Sequence, residues 1–367
     1  MHGDAISVEA VKSRDAMNEF AMLPLQVYGE RDAWWPPDIQ NEIDLLSGRA
    51  PIASYLDMMP FALRRKGKIV ARVTAVVNRR YNSHWNDLLG QLIHFEALPG
   101  EGAGVAAMLE DACTWLRRRG LTAVRSGFAA FLDYPYAIDN YGSLPPFLLR
   151  GSPEYYHTYF KDAGFQTEKG MTDFTIALTQ NTLSTYPAMI EQAAKNGIRI
   201  CSWREHGFLA AVDAWTDTTN AAFERHWGWN PITREEVRPM LAGLARTEVA
   251  DLSTLAVADG EVVGSVFSVP DFSLRLARMR HGVRLDPARG GGTRGALINI
   301  GVLERWRGKG VNLAMAARSF ATMAQQKMKY AGYTLVLDDN WPSRRTAQKL
   351  GASITSNFVA YRRDFLS

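Results

Sequence analysis

A short run of arginine, lysine and glycine offers the clearest chemistry in this sequence. It contains Arg305, Arg307, Gly308, Lys309 and Gly310. Glycine allows a tight turn that exposes backbone amides, and the start of a helix adds partial positive charge. Together with three full positive charges, these features suit a di-anion such as a pyrophosphate. We therefore predict a phosphate-binding loop at this position.

Two better-known phosphate-binding motifs do not account for this loop. The P-loop has Ser or Thr after Gly-Lys, whereas Gly310 follows Lys309. A G-x-G-x-x-G pattern does occur at Gly290, Gly292 and Gly295. It precedes a predicted strand instead of following one, so we interpret it as a loop and not as a dinucleotide-binding fingerprint.

The elements around the glycine loop are predicted from the spacing of apolar residues. Residues 296–302 form an apolar run, which predicts a buried strand directly before the loop. After the loop, apolar residues recur at three- and four-residue steps along one helix face, and these are Leu313, Ala317, Phe320, Ala324 and Met328. Gly332 is predicted to end this helix, and residues 333–337 to form a second strand. The predicted unit is therefore strand, basic loop, helix, strand.

The pattern Arg305-x-x-Gly308-x-Gly310 resembles the acyl-CoA pyrophosphate loop of the GNAT acyltransferases, which is Arg/Gln-x-x-Gly-x-Gly/Ala. Residues 340–352 resemble the next motif of that family, an Asn followed by a short helix that ends in Leu-Gly-Phe. Residues 358–363 then predict a closing strand. The alternative is a basic helix N-terminus that binds no ligand. The order of strand, loop, helix, strand and second motif favours the resemblance.

The resemblance implies an acyl-CoA-dependent N-acyltransferase. Such an enzyme moves an acetyl group from acetyl-CoA, or another acyl group from another acyl-CoA, directly to an amine of a small molecule or peptide. It also implies a set of cofactor-binding residues on the strand, the loop and the following helix start. These are Ile300, Val302, Arg305, Arg307, Gly308, Lys309, Gly310, Asn340 and Ser343. No metal is expected, because the 7 histidines show no metal-ligand spacing.

Acyl transfer to an amine also requires proton transfer. The amine must lose a proton and the departing thiolate must gain one, so a base and an acid are wanted nearby. Asn299, in the strand before the loop, and Asp338, at the end of the next strand, are the candidate catalytic residues. Each is equally well explained as a strand-end or turn residue. The acidic Tyr that the resemblance leads us to expect is replaced by Ala347, so a non-catalytic acyl-CoA-binding protein remains an alternative.

The second half of the chain repeats the first. Hairpin turns at Gly67 and Gly260, and tryptophan-proline motifs at residues 34–37 and 227–231, recur at a nearly constant spacing. The fold class is therefore predicted as α/β (α+β), with two tandem GNAT-type domains, each a mixed, mostly antiparallel twisted sheet flanked by helices. The predicted ranges are 1–180 for a degenerate N-terminal GNAT-like domain, 181–197 for a linker helix and 198–367 for a C-terminal GNAT domain that binds acyl-CoA.

The first copy lacks the features of a pyrophosphate loop. Pro99 stands where Arg or Gln is expected, and Glu101 lies among the glycines, where its carboxylate would repel a pyrophosphate. We interpret the first half as a copy that shapes a substrate cleft between the two domains. The candidate substrate residues are Asp139, Tyr141, Trp229 and Tyr361, each of which is also explained by packing in a loop or core.

Length and composition limit the class of protein. The 367 residues suit two domains, and 47% hydrophobic content suffices for two cores. Apolar runs shorter than a membrane helix, the lack of an evident signal peptide and only 2 cysteines predict a cytoplasmic protein without membrane contact. A net charge of +4 argues against broad nucleic-acid binding, although a transferase of the same fold that uses aminoacyl-tRNA remains an alternative. Monomer and homodimer both stay open.

Overall fold

The chain divides into two units, and its C-terminal strand belongs to the first of them. The computed structural model describes residues 6–29, 34, 36–147, 149, 151–280 and 292–365. The first unit comprises Met1–Gly170 with Phe358–Ser367, and the second comprises Met171–Asn357. Trp35 and Gly290, which belong to motifs named above, lie outside the described residues.

The first unit is built on an antiparallel sheet that ends in one parallel pair. Its strands are β1 (Ile6–Ala10), β2 (Leu56–Arg65), β3 (Lys68–Asn78), β4 (Leu89–Ala97), β5 (Ala123–Ser126), β6 (Tyr136–Ala137) and the first part of β7 (Gln166–Ala177). Its helices are α1 (Arg14–Tyr28), α2 (Ile39–Leu46), α3 (Arg79–Trp85), α4 (Gly102–Arg117) and α5 (Tyr156–Asp162). Strands β1 to β4 pair antiparallel in chain order, and β4 runs parallel to β5. Residues 361–364 close this sheet against β5.

The second unit repeats this arrangement. Its strands are β8 (Arg199–Ser202), β9 (Thr254–Ala258), β10 (Glu261–Pro270), β11 (Arg294–Val302), β12 (Tyr330–Leu337) and the first part of β13 (Ala352–Asp364). Its helices are α6 (Gln180–Leu183), α7 (Tyr186–Lys195), α8 (Trp203–His206), α9 (Phe208–Phe223), α10 (Arg234–Ala242), α11 (Val249–Leu252), α12 (Ser273–Arg280), α13 (Val311–Gln325) and α14 (Trp341–Lys349). Strands β8 to β11 pair antiparallel, β11 runs parallel to β12, and residues 171–177 of β7 close the sheet.

Both units therefore share one order of strands and helices. A parallel pair requires a crossover connection, which α4 supplies in the first unit and α13 in the second. The predicted fold class, with two tandem, mostly antiparallel sheets flanked by helices, is confirmed. Among the described residues, no helix combines the length and apolar character that crossing a membrane requires.

The units differ from the predicted domain ranges at both ends of the second half. The predicted linker 181–197 corresponds to α6 and α7, and Tyr186 and Ala193 of α7 are buried in the core of the second unit. Residues 358–367 belong to the first unit, because pairing with β5 joins their strand to that sheet. Apolar periodicity identifies a helix or strand, but it does not say which core that element packs against.

The helix after the glycine loop is shorter than predicted. It ends at Gln325, so Met328 lies beyond it and Gly332 does not terminate it. Lys327 has a left-handed φ of 67°, and the Met328 amide donates back into the last turn, which is how a left-handed cap closes a helix. Gly332 lies inside β12, where an added Cβ would come within 3.1 Å of the Arg294 guanidinium. That glycine makes room for the arginine above the sheet.

Candidate functional site

The second unit contains a pocket at the point where two parallel strands separate. In the described part of the chain, β11 and β12 pair over residues 294–297 and 330–333, and their ladder ends there. A pocket of about 640 Å³ lies beyond that point. Its lining includes residues 221–227, Ile300, Gly301, Val302, Arg307, Gly308, Val311, Asn312, Tyr333, Leu337, Asp339, Asn340 and Ser343.

Irregularities in both strands explain why they separate. Ile298 is an extra residue of β11 in the pairing with β10, between Leu297 and Asn299. Leu335 has a left-handed φ of 53°, where β12 bulges against β7. A bulge bends its strand and increases the local twist. Both bulges directly follow the last paired residues, so they turn the strands apart at the apex of the pocket.

The glycine loop gives the pocket a positively polarised end. Gly308 and Gly310 have φ values of 79° and 78°, a region that favours glycine. Gly310 is the N-cap of α13, and no described side chain caps that helix, whereas Asn340 caps α14 with its side chain. The first-turn amides of α13 therefore stay available to an anion, and the helix dipole adds to the attraction. The backbone here makes the tight glycine turn that the sequence predicts before the helix.

The three basic residues of the loop have different surroundings. The Arg307 guanidinium lines the pocket, where it donates to the carbonyls of Val302 at 3.1 Å and Ala222 at 3.0 Å. It thereby links the end of β11 to the end of α9. Arg305 forms an exposed ion pair with Glu261, and the Lys309 ammonium lies 4.2 Å from the centre of the Trp306 ring. Arg307 is thus the basic residue of this loop that reaches the pocket wall.

The start of α14 forms the wall opposite the loop. The Asn340 side chain accepts a hydrogen bond from the Ser343 amide at 3.2 Å, so its oxygen already serves the helix. Asn312, in the first turn of α13, donates to the Thr346 hydroxyl at 2.7 Å and joins that helix start to the middle of α14. These contacts fix the two helices that border the pocket, and the predicted residues Asn340 and Ser343 both line it.

Tyr333 is a pocket residue that the sequence analysis missed. Its phenol lies 2.9 Å from the Ser343 hydroxyl, and its ring packs in the core cluster of the second unit. Burial raises the pKa of Tyr333 to about 12, so the phenol is neutral at ordinary pH. The sequence places this residue at the start of a predicted strand. The spacing of the apolar residues in that strand does not indicate that the Tyr333 side chain contacts α14.

The two candidate catalytic residues lie outside the pocket lining. The Asn299 side-chain oxygen accepts from the Trp215 indole at 3.2 Å and the Thr219 hydroxyl at 3.3 Å, both on α9. Asp338 accepts from the Thr172 hydroxyl at 3.0 Å and from the Arg344 guanidinium at 3.2 Å. Both side chains are thus held by neighbours on the described chain, and their catalytic role stays a prediction.

The candidate substrate residues are divided between the units. Trp229, in the second unit, is buried against Phe223 with ring centres 5.3 Å apart, and Trp227 lines the pocket instead. Tyr361, Asp139 and Tyr141 belong to the first unit. The Tyr361 ring stacks on Phe160, and its hydroxyl meets a ring nitrogen of His157. Tyr141 lies 6.4 Å from His157, measured between ring centres, and Asp139 is half-buried. Substrate contact by these four residues stays a prediction.

The corresponding place in the first unit is filled by tyrosines. Strands β4 and β5 pair over residues 89–92 and 123–126, as β11 and β12 do in the second unit. At the end of β4, the Ala97 amide donates to the Tyr156 hydroxyl at 3.0 Å, and its carbonyl accepts from Tyr155 at 2.7 Å. Tyr156 in turn donates to the buried Glu96 carboxylate at 2.7 Å. The backbone groups at the end of β4 are thus hydrogen-bonded by tyrosines at the start of α5. In the second unit, the corresponding end of β11 lines the pocket instead.

The start of α4 is also unsuited to an anion. Its N-cap is Glu101, whose carboxylate accepts two hydrogen bonds from the Arg65 guanidinium, at 2.9 and 2.7 Å. The Glu101 amide donates to the Tyr159 hydroxyl at 3.0 Å. A buried carboxylate stands where α13 offers an uncapped glycine, so electrostatics at this helix start oppose a phosphate.

In sequence, the part of the chain that contains the pocket is similar to the GNAT acetyltransferases. Residues 209–352, less than half of the 367 residues, match the model of the acetyltransferase (GNAT) family. The matched residues contain the whole pocket lining. Acyl transfer is the general activity of this family. The match does not identify the acyl donor or the acceptor of this chain.

Similar proteins cover most of the chain at low sequence identity. Protein YghO of Escherichia coli K12 is 19% identical over 275 residues, which are 74% of this chain and 70% of that protein. A GCN5-related N-acetyltransferase from Sphaerobacter thermophilus is 17% identical with a TM-score of 0.54, covering 98% of this chain and 95% of the other. A tandem GNAT protein from the clavulanic acid biosynthesis pathway is 13% identical with a TM-score of 0.56, covering 98% of both chains.

A third solved structure is a glucosamine N-acetyltransferase region within a fungal multi-domain β-N-acetylglucosaminidase. It is 15% identical with a TM-score of 0.60, and it covers 99% of this chain, which spans only 38% of that protein. At these identities, the solved structures establish the tandem two-domain fold and leave the substrate to be argued from the pocket.

Proposed function

We propose that this protein transfers an acyl group, in the first place acetyl, from its coenzyme A thioester to an amine. The donor binds in the pocket of the second unit. The observation that carries the proposal is the combination of two features: an open wedge between β11 and β12, and an uncapped helix start with left-handed glycines at its end. The first suits an extended arm that carries amides, and the second suits a pyrophosphate.

The length of the pocket wall supports an extended donor. Five residue steps separate Leu297, at the apex, from Val302, at the end of β11. At the rise of an extended strand this is roughly 16 Å. Because β12 has turned away, the amides of Ile300 and Val302 and the carbonyl of Ile300 can pair with the amides of a pantetheine arm, while the Val302 carbonyl accepts from Arg307. The pyrophosphate then meets the amides around Gly308, and the thioester lies towards the apex.

The acceptor would approach along the end of α9. Residues 221–227 line the pocket, and Arg307 fixes the carbonyl of Ala222 to the end of β11. A neutral amine there attacks the thioester carbonyl, the carbon–nitrogen bond forms, and the carbon–sulfur bond breaks. The amine nitrogen loses a proton to a base or to water, and the sulfur takes the bonding electron pair. Acceptor recognition by this segment is part of the proposal.

The first unit acts, in this proposal, as a copy without a donor site. The backbone groups that a donor would need are hydrogen-bonded by three tyrosine hydroxyls, those of Tyr155, Tyr156 and Tyr159. The negative charge of Glu101 would repel a phosphate at the helix start. The predicted division into a degenerate N-terminal copy and a C-terminal donor-binding domain agrees with these contacts. Its remaining role would be in acceptor binding or in stability.

Two measurements test the proposal. Mass spectrometry of the purified protein under native conditions should detect a co-purifying acyl-CoA, and calorimetry should detect binding of acetyl-CoA. Release of free thiol from acetyl-CoA in the presence of a panel of amines then tests turnover. No binding of acetyl-CoA or of longer acyl-CoA would refute the proposal. Binding without turnover on any amine would favour a non-catalytic acyl-CoA-binding protein, and a salt-sensitive complex with aminoacyl-tRNA would favour the tRNA-dependent alternative.

A further inference from the structure

We infer that Tyr333 donates a hydrogen bond to the leaving sulfur of the donor, an inference that rests on the proposed function. The expected acid position on α14 holds Ala347, which has no polar side chain. When the carbon–sulfur bond breaks, negative charge develops on sulfur, and a donor aimed at that atom lowers the barrier. A polar group on a neighbouring element of the pocket can supply such a donor.

Tyr333 lies where the sulfur is expected. It is the last residue of β12 that pairs with β11, opposite Leu297, so it marks the apex of the wedge. It lines the pocket together with Ile300 and Gly308. A donor whose pyrophosphate binds at the glycine loop and whose arm follows β11 brings its thioester to this apex. The phenol is the polar side-chain group that β12 contributes to the pocket lining at this depth.

The packing around Ala347 shows how the phenol is positioned. Ser343 and Ala347 are four residues apart on α14 and therefore face the same side. Ala347 is fully buried in the same core cluster as Tyr333. The phenol then meets the Ser343 hydroxyl at 2.9 Å. Ser343 is a positioning residue that orients the phenol without contacting the reacting atoms.

The chemistry requires hydrogen bonding and no net proton transfer from Tyr333. Burial raises the pKa of this phenol to about 12, so it keeps its proton over the pH range of an assay. The breaking bond leaves its electron pair on sulfur, and the phenolic O–H stabilises that charge. The thiolate then takes a proton from water, while the amine nitrogen has given one to a base or to water. The balance is acyl-CoA plus amine yielding amide plus coenzyme A.

The inference can be tested without knowing the acceptor, by comparing coenzyme A with desulfo-coenzyme A. The thiol of coenzyme A is an alkyl thiol, which ionises above the roughly 8.5 of a cysteine side chain. If Tyr333 donates to sulfur, the wild-type protein binds the thiolate better than the thiol. The affinity for coenzyme A then rises between about pH 7 and pH 10, and the affinity for desulfo-coenzyme A does not. Tyr333→Phe should abolish this rise and keep the affinity for desulfo-coenzyme A.

Tyr186→Phe is the matched control. Tyr186 is a buried tyrosine of the same core cluster, its hydroxyl contacts the Leu350 carbonyl at 3.3 Å, and it does not line the pocket. This variant should keep the pH dependence. With an amine acceptor in hand, Tyr333→Phe should lower kcat by about 10²–10³-fold with an unchanged Kd for acetyl-CoA. Ser343→Ala should give a smaller loss in the same direction.

The outcomes separate the inference from the proposed function. If neither coenzyme A nor desulfo-coenzyme A binds, the proposed function fails. If both bind but the wild-type protein shows no rise in affinity specific to coenzyme A, the inference is overturned even if Tyr333→Phe does not fold. It is also overturned if a folded Tyr333→Phe protein retains the rise.

Discussion

Replacing Gly308 by valine should separate loop function from loop stability. Gly308 has a φ of 79°, and a Cβ added there would meet no atom of the described residues within 4 Å. The cost to the fold is therefore the left-handed conformation alone, about 1–2 kcal/mol. That cost should lower the Tm by a few degrees and leave the protein folded at room temperature.

The cost to donor binding should be larger. Gly308 lines the pocket, so its new side chain projects towards the place of the pyrophosphate and moves the loop amides out of reach. Losing two hydrogen bonds to charged phosphate oxygens costs about 3–6 kcal/mol. Since about 1.4 kcal/mol corresponds to a tenfold change, the Kd for acetyl-CoA should rise by at least about a hundredfold. Calorimetry measures this change directly.

Gly260→Val is the control for this experiment. Gly260 lies in the hairpin turn between β9 and β10 and has the same φ of 79°. In the described part of the chain, a Cβ added there likewise has no neighbour within 4 Å. Both variants should lose similar stability, while Gly260→Val should bind acetyl-CoA like the wild-type protein. If folded Gly308→Val binds as tightly as Gly260→Val, the loop is not the pyrophosphate site and the proposed function loses its main support.

The first unit should bind no coenzyme A, so calorimetry should give one site per chain, and two equivalent sites would contradict this. Asn299→Ala and Asp338→Ala should each lower turnover by about 10²–10⁴-fold with little effect on the Kd for acetyl-CoA; full activity in both variants would place the base elsewhere. Burial raises the pKa of Asp173 to about 6, above the roughly 3.9 of an unfolded chain. The stability from this protonation is thus present below about pH 4 and lost as pH rises through about 6. Asp173→Asn should remove that part of the pH dependence in urea unfolding, and an unchanged profile would refute the assignment.

Local sequence signals predicted the parts of the site that depend on backbone conformation. Glycines at 308 and 310 indicated a tight turn before a helix, and both have positive φ. Turn residues at Gly67 and Gly260 indicated two hairpins, and β2–β3 and β9–β10 form them. These features could be predicted because one residue type, glycine, is required by the conformation itself.

Features that depend on partners distant in sequence could not be predicted. The end of α13 is set by the left-handed Lys327, a residue that rarely adopts this conformation. Arg307 was predicted to meet a phosphate, yet its guanidinium also binds the carbonyl of Ala222, 85 residues earlier. The contact between Tyr333 and Ser343 joins a strand to the following helix across the pocket. Side-chain reach of this kind leaves no periodic signal in a single sequence.

The two units show how one arrangement of strands leads to opposite outcomes. Where parallel strands separate, their inner edges expose amides and carbonyls that need partners. In the first unit, the hydroxyls of Tyr155 and Tyr156 serve the groups of Ala97, so the opening becomes part of the core. In the second unit, the facing helix carries the smaller residues Ser343 and Ala347. Of the edge groups, the Val302 carbonyl accepts from Arg307, and the others are, in our proposal, left to water or to a ligand. The choice between core and binding site therefore depends on side-chain size along one short helix, while the sheet that creates the opening is the same in both units.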